Sequence, residues 1–206
     1  MMIYPKNEIT AIILAGGRSS RMGQDKALIS VAAVPLLRQI CDLASCCAVK
    51  VYVVTPWHDR YQSLITPSCV LLDENPPFTG PLVSFSKVLP LVRTSWVLLL
   101  ACDLPFLTPS EVQEWAARLP SLSQETIALV PRLDDRWHPL SAFYRSDCLS
   151  SLEDFIRAGG SSFQVWLDRS PVQILPVTNP QVLFNCNTPE DLEIVINAPN
   201  NREDNS

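Results

Sequence analysis

The 206-residue sequence lacks three features: a long hydrophobic run, an excess of basic residues, and an apparent leader segment. Its longest apolar runs, AIILAGG and SWVLLLAC, are far shorter than the roughly 20 residues that span a bilayer. The opening MMIYPKNEIT has no charged start followed by an apolar stretch and a cleavage site, so we expect no signal peptide and a cytoplasmic location. A net charge of −5 argues against a broad basic surface for nucleic acid.

The cysteines and histidines form no recognisable catalytic or metal-binding pattern. Seven cysteines are present without a Cys-x-x-Cys pair, and most lie in apolar segments. We therefore expect buried, reduced thiols rather than a disulfide framework or a zinc site. His58 and His138 are the only histidines, and no Ser-His-Asp or Cys-His set is apparent.

Strand-like apolar segments alternate with helical patterns along the chain. The strands are predicted at 10–16, 49–55, 69–73, 96–103, 126–131 and 138–144. The helices are predicted at 35–47, 80–92 with a break at Pro90, 108–119, 146–160 and 188–196. This alternation predicts a three-layer, Rossmann-like α/β fold, with a mostly parallel sheet and helices on both faces. We expect one domain over residues 1–197 and a polar, disordered tail over 198–206.

The segment LAGGRSSRMGQDKA, residues 14–27, follows the first predicted strand and holds three of the six glycines. Gly16 and Gly17 allow backbone N–H groups to approach phosphate oxygens, and Arg18, Arg21 and Lys26 add positive charge. The pattern is not a Walker A motif, because the gap is longer and no hydroxyl residue follows Lys26. It is not Gly-x-Gly-x-x-Gly either. We interpret it as a loop that binds a nucleoside triphosphate.

Two carboxylates end predicted strands. Asp103 ends a buried strand, where a carboxylate is suited to hold Mg²⁺ beside phosphates. Asp73 ends the strand CVLLD, and Glu74 beside it is the alternative if the alignment shifts by one residue. For both aspartates, a simple turn-capping role is the competing interpretation.

Five motifs in order resemble those of the molybdenum cofactor guanylyltransferase family. They are LAGGRSSRMGQDKA, DENPPFTGPLVS (73–84), ACDLPFL (101–107), HPLSAFY (138–144) and FNCNTPEDL (184–192). The resemblance implies a fold of the nucleotide-diphospho-sugar transferase type. It also implies Mg²⁺-dependent transfer of GMP from GTP to molybdopterin or the molybdenum cofactor, with partners among cofactor-biosynthesis proteins or molybdoenzymes.

The resemblance also implies roles for individual residues. Arg21, Lys26 and Asp103 would be catalytic, with Asp103 holding the metal. His138, Asn185 and Asn187 would lie on the acceptor side, where structural roles are equally consistent with their types. The implied nucleotide-binding residues are Leu14, Ala15, Gly16, Gly17, Lys26, Asp73 and Asp103.

The sequence departs from the family pattern at three positions. The glycine usual before Pro-Leu is missing near Val34, Ser84 stands where the family has glycine, and Thr55 stands where it has a nucleotide-contacting asparagine. Gly16 gives LAGG rather than the LAAG of the related cytidylyltransferase, which favours GTP. The alternatives are a cytidylyltransferase, a sugar-phosphate or phospholactate nucleotidyltransferase, and a non-catalytic homologue that binds nucleotide.

Overall fold

The computed structural model describes residues 5–17 and 22–198, and it builds these segments around one large sheet. The strands are β1 (Ile9–Leu14), β2 (Ser30–Val31), β3 (Val34–Pro35), β4 (Lys50–Thr55), β5 (Cys69–Asp73), β6 (Trp96–Ala101), β7 (Ala128–Leu133), β8 (Arg136–Trp137), β9 (Ser141–Arg145) and β10 (Val172–Leu175). The α-helices are α1 (Leu36–Cys47), α2 (His58–Tyr61), α3 (Pro81–Val88), α4 (Pro109–Ala116), α5 (Leu149–Arg157), α6 (Phe163–Asp168) and α7 (Pro189–Asn197).

The strand order across the sheet is β5-β4-β1-β6-β9-β7-β10, with β8 paired to β7. The pairs of β1 with β4 and β6, of β4 with β5, and of β7 with β10 are parallel. Within this sheet, as far as the described residues show it, β9 and β8 run antiparallel to their neighbours, and β2 and β3 form a separate antiparallel hairpin. After β5 the chain crosses back to add β6 on the other side of β1. This reversal is a topological switch point, where ligands bind at the carboxyl ends of parallel strands.

Helices cover both faces of the sheet and create two cores. Along β1, Ile13 packs into the core beneath α1 and α4, whereas Ile12 packs into the core beneath α3, α5 and α6. Neighbouring residues of a strand point to opposite faces, so a strand in the middle layer is apolar throughout. The prediction of a three-layer α/β fold is confirmed. Among the described residues, no helix is long and apolar enough to cross a membrane.

The structure refines several predicted boundaries. Residues 138–140 form a turn before β9, and a 3-10 turn at Ser146–Cys148 precedes α5. Helix α6, strand β10 and the β2–β3 hairpin were not expected. Positive φ angles in that hairpin fall on Ala32 and Ala33, while Val34 is extended. The glycine that the family has near Val34 would suit this left-handed backbone, which alanine adopts here at a cost in strain.

The cysteines largely follow the prediction of buried thiols. Cys41, Cys47, Cys69, Cys148 and Cys186 are buried and unbridged, whereas Cys102 is half-buried and Cys46 is exposed. The proposed tail lies outside the described residues from position 199 onward. The single-domain boundary at 197 remains a prediction.

Helix α7 begins with a complete capping box. The Thr188 hydroxyl accepts a hydrogen bond from the Asp191 amide at 3.2 Å, and the Asp191 carboxylate accepts from the Thr188 amide at 2.9 Å. These bonds satisfy amides that have no partner within the helix.

We predict that Thr188→Ala lowers the free energy of unfolding by about 1 kcal/mol, because the cap hydroxyl is lost. Thr188→Ser keeps the hydroxyl and is the matched control. Urea denaturation measures both variants. Equal stability of the alanine and serine variants would contradict the assigned cap.

Candidate active site

A cavity of about 580 Å³ opens at the carboxyl ends of β1, β4, β5 and β6. It lies at the switch point between β1 and β6. Its lining residues are Leu14, Ala15, Gly16, Gly17, Asp25, Lys26, Ala27, Val54, Tyr61, Glu74, Phe78, Gly80, Pro81, Ser84, Ala101, Cys102, Asp103, Leu140, Asn185 and Asn187. The cavity therefore brings residues from all five motifs to the ends of the central strands.

The polar centre of the cavity is an ion pair with two amides. Lys26 Nζ lies 3.2 Å from Asp103 Oδ2, and the two side chains are 14% and 13% exposed. Asn185 Nδ2 donates to Asp103 Oδ1 at 2.9 Å, and Lys26 Nζ also donates to Asn187 Oδ1. A partly buried ion pair is screened less by water and salt than an exposed one. The four side chains, from three separate segments, thus hold a cation and an anion at the cavity wall.

Asp25 positions Lys26 for this contact. Its carboxylate accepts from the Ala27 amide at 3.2 Å and so caps the 3-10 turn Lys26–Leu28. It also accepts from the Tyr61 hydroxyl at 2.8 Å and from Arg60 at 3.0 Å. Burial and the bond to Asp25 raise the pKa of Tyr61, which keeps its hydroxyl a donor at neutral pH. Asp25 adjoins Lys26 in the first motif, but its residue type alone gave no sign of this supporting role.

The closing segment is attached to β6 through its backbone. The Cys186 amide donates to the Asp103 carbonyl at 3.0 Å, which places Asn185 and Asn187 on either side of that contact. The Asn187 amide donates to Asp191 at 2.8 Å, so the cap of α7 also holds this segment. Helix α7 therefore fixes the two asparagines beside Asp103.

Comparison with known proteins identifies the family. Residues 11–173 match the family model described as the MobA-like NTP transferase domain. A protein of Nostoc sp. strain PCC 7120, named "Probable molybdenum cofactor guanylyltransferase", is 53% identical over 92% of this chain and 91% of its own length. The chain belongs to the MobA-like NTP transferase family. It is thus a nucleotidyltransferase by family, as the motifs indicated.

Solved structures confirm the fold of this family member. The crystal structure titled molybdopterin-guanine dinucleotide biosynthesis protein A, from Archaeoglobus fulgidus, aligns with a TM-score of 0.74 at 22% identity. The alignment covers 90% of this chain and 96% of that one. A structure of Rv0371c from Mycobacterium tuberculosis, titled as a manganese complex, aligns with a TM-score of 0.65 at 17% identity, over 94% and 100% of the two chains.

Most of the site residues expected from the resemblance come together in the cavity. Leu14, Ala15, Gly16 and Gly17 form its β1 edge, while Lys26, Asp103, Asn185 and Asn187 form its polar centre. Arg18 and Arg21 lie outside the described residues, so the catalytic role expected for Arg21 stays a prediction.

Asp73 does not line the cavity, and its expected nucleotide-binding role stays a prediction. Its carboxylate is 72% exposed and lies 3.0 Å from Nδ1 of His58. Glu74 lines the cavity instead, and its amide continues the β5 ladder by donating to the Thr55 carbonyl at 3.0 Å. Successive residues of a strand alternate between faces, so only one of two adjacent carboxylates can point inward. Glu74, the alternative if the alignment shifts by one residue, is the carboxylate that faces the cavity.

His138 also does not line the cavity, although Leu140 of the same motif does. The His138 amide donates to the Pro131 carbonyl at 2.9 Å, and the Leu140 carbonyl accepts from the Ala101 amide at 2.8 Å. Burial, aided by Arg136, lowers the pKa of His138, so its imidazole is predominantly neutral at pH 7. These contacts attach the turn that contains His138 and Leu140 to the neighbouring strands β7 and β6. The acceptor-side role of His138 remains a prediction.

Cys102 lines the cavity beside Asp103 but is poorly suited to covalent catalysis. Burial, followed by the charge of Asp103, raises the pKa of its thiol well above the ordinary value. A thiol nucleophile reacts as the thiolate, which this environment disfavours. The cavity is therefore suited to charge stabilisation rather than to a thiol intermediate.

Asp103 fits a divalent cation that is shared with substrate phosphates. Its two oxygens accept from Lys26 and Asn185, and a carboxylate has further lone pairs for a metal ion. Within residues 5–17 and 22–198, no group of three or more His, Cys, Asp or Glu side chains is arranged to hold a metal. Mg²⁺ is commonly held by one or two carboxylates plus phosphates and waters. The donor set fits that arrangement better than a cage of protein ligands.

Thr55 holds the first loop in place through a buried hydroxyl. Its Oγ1 donates to the Ala15 carbonyl at 3.0 Å and accepts from the Trp57 amide at 3.1 Å. Both hydrogen-bonding functions of the hydroxyl are thus occupied within the protein. This supports a structural role rather than the nucleotide contact made by the family's asparagine.

We predict that Thr55→Val lowers the free energy of unfolding by about 1–3 kcal/mol, because it leaves buried backbone groups without partners. It should also weaken nucleotide binding, since Ala15 and Gly16 lose their support. Thr55→Ser keeps the hydroxyl and should retain most of both properties. Urea denaturation and nucleotide titration test this, and a valine variant equal to wild type in both would contradict the role.

Proposed function

We propose that this protein transfers GMP from GTP to molybdopterin or its molybdenum-bearing form and releases pyrophosphate. The observation that carries the proposal is the contact among Lys26, Asp103, Asn185 and Asn187 beside the Gly16-Gly17 turn. The family and the printed names of its relatives support the same activity.

In the proposed reaction, a terminal phosphate oxygen of the acceptor attacks the α-phosphorus of GTP, and the bond to the β-phosphate oxygen breaks. Such transfer depends on in-line positioning and on neutralisation of phosphate charge, not on a protein nucleophile. Gly16 and Gly17 bring backbone amides to the phosphates without an intervening side chain. Lys26 supplies a cation whose position is set by Asp25, Asp103 and Asn187.

Asp103 is the proposed ligand of Mg²⁺. When bound, the ion would add positive charge at the phosphates and so favour departure of pyrophosphate. Asn185 orients the carboxylate by donating to Oδ1 at 2.9 Å. Arg21 is the second proposed phosphate-binding cation, on the strength of the sequence motif.

The acceptor is proposed to approach from the side of Asn185 and Asn187, which bring amide groups to the cavity wall. GTP and the pterin cofactor are the proposed small-molecule partners, with cofactor-biosynthesis proteins or molybdoenzymes as protein partners. We place the reaction in the cytoplasm, in keeping with the buried, unbridged thiols of the core.

We predict that Asp103→Asn lowers kcat on the order of 100-fold or more, because it removes a charge at the phosphates. Pyrophosphate release with GTP, Mg²⁺ and the molybdenum cofactor as acceptor measures the effect. The matched control is Asp42→Asn, whose carboxylate lies on α1 and is half-exposed in a pair with Arg38. Thermal unfolding of each variant separates lost catalysis from lost folding.

The same assay distinguishes the alternatives. Release with GTP but not CTP or ATP, abolished by a chelator, is the expected result. A preference for CTP would identify the cytidylyl reaction. Turnover of Asp103→Asn at the wild-type rate would refute the metal assignment, and GTP binding without release would identify a non-catalytic binding protein.

A further inference from the structure

The described part of the cavity wall carries more negative than positive charge. Among the described lining residues, Asp25, Glu74 and Asp103 stand against one cation, Lys26. A nucleoside triphosphate brings further negative charges, so a carboxylate without a compensating cation would oppose its binding. Asp103 is paired with Lys26 at 3.2 Å. Asp25 obtains its cation from outside the lining, because Arg60 Nη1 of α2 lies 3.0 Å from its Oδ2 atom.

The two carboxylate oxygens of Asp25 have separate partners. Oδ1 accepts hydrogen bonds from the Ala27 amide at 3.2 Å and from the Tyr61 hydroxyl at 2.8 Å. Oδ2 accepts from Arg60. The Asp25 side chain is only 15% exposed, so water screens its charge incompletely. Loss of Arg60 would therefore keep the bonds that cap the Lys26 turn but leave a partly buried negative charge without its cation.

Trp57 holds Arg60 in a defined position. The guanidinium carbon lies 4.7 Å from the centroid of the Trp57 ring. Residues three apart are neighbours on a helical turn, and the Arg60 amide donates to the Trp57 carbonyl at 3.1 Å. A planar guanidinium stacks well on an aromatic face. Since the Trp57 amide also donates to Thr55 Oγ1 at 3.1 Å, α2 presents Arg60 to Asp25 from a fixed point at the end of β4.

We propose that Arg60 strengthens binding of the nucleoside triphosphate by neutralising Asp25. Asp25 can then cap the turn that holds Lys26 without repelling the phosphates that Lys26 attracts. Arg60 acts through Asp25 and does not line the cavity, so it is a positioning residue and not a catalytic one. An ion pair whose arginine is 49% exposed adds little to stability, and the effect of Arg60 therefore falls on binding rather than on folding.

This inference rests on the proposed function, and Arg60→Gln in the full-length chain tests it. The variant should bind GTP with Mg²⁺ on the order of 10-fold more weakly, because the uncompensated charge of Asp25 repels the phosphates. KM for GTP should rise by a similar factor. The value of kcat should change far less, because Ala27 and Tyr61 still hold Asp25 at the Lys26 turn. Calorimetric titration measures the affinity, and pyrophosphate release measures KM and kcat.

A salt series separates a charge effect from a structural one. Raising the ionic strength from about 0.05 M to about 0.5 M should shrink the difference in GTP affinity between wild type and Arg60→Gln, because salt screens repulsion between charges. A distorted α2 would give a difference that salt does not reduce. Thermal unfolding verifies that each variant is folded.

The double variant Asp25→Asn with Arg60→Gln is the decisive rescue. Asparagine removes the charge but keeps an oxygen that can accept from Ala27 and Tyr61. The double variant should therefore recover most of the GTP affinity that Arg60→Gln loses. Arg60→Lys keeps the positive charge without the planar group, and its affinity should lie between those of wild type and Arg60→Gln.

Arg38→Gln is the matched control. Arg38 is 43% exposed, pairs with Asp42 at 3.1 Å on α1 and does not line the cavity. Its replacement removes the same charge from a comparable surface pair. GTP affinity should stay at the wild-type value.

The outcomes separate the two proposals. If wild type releases pyrophosphate from GTP and Arg60→Gln binds GTP equally well, this inference alone is wrong. A weakened Arg60→Gln that neither salt nor Asp25→Asn brings closer to wild type would also overturn it, and would assign Arg60 a purely structural role. Equal weakening in Arg38→Gln would show a nonspecific effect of net charge and contradict the role of Asp25. A wild-type chain that neither binds nor turns over GTP would refute the proposed function and this inference with it.

Discussion

The ion pair between Lys26 and Asp103 is the interaction on which the rest of the site depends. It joins the loop after β1 to the end of β6, across the point where the strand order reverses. Asn185 and Asn187 add hydrogen bonds from a third segment. Breaking such a partly buried pair leaves a charge without a partner, which costs more than the loss of an exposed pair. The ion pair and these hydrogen bonds therefore hold three segments of the chain around the charged centre of the cavity.

The parallel sheet explains why residues so distant in sequence meet. Strands β1, β4, β5 and β6 end at the same edge of the sheet. Backbone hydrogen bonds continue past the strand ends and hold the loops that follow in place. The Ala15 amide donates to the Val54 carbonyl, and the Cys186 amide donates to the Asp103 carbonyl. Because the backbone sets these positions, small side chains at the loop decide how closely a ligand or a neighbouring carboxylate can approach. Gly16 beside Glu74 is the clearest case.

The apolar pattern predicted most of the fold, because buried parallel strands and amphipathic helices have distinct signatures. Helix α6 and strand β10 were missed since both are short, and β10 is an edge strand with exposed residues. The motifs located Lys26, Asp103 and the two asparagines. They could not decide between Asp73 and Glu74, because that choice depends on which face of β5 each residue occupies. Nor could they reveal that the Thr55 hydroxyl holds the loop after β1 in place or that Asp25 positions Lys26. Both roles arise from contacts between segments distant in sequence.

A crystal structure of the chain with a non-hydrolysable GTP analogue and Mg²⁺ tests the central claim most directly. The account predicts phosphate oxygens within hydrogen-bond distance of Lys26 Nζ and of the Gly16-Gly17 backbone, with the metal on Asp103. A nucleotide bound elsewhere, or one whose phosphates lie away from Lys26 while the Lys26–Asp103 pair remains unchanged, would contradict the assignment of this cavity as the nucleotidyl-transfer site.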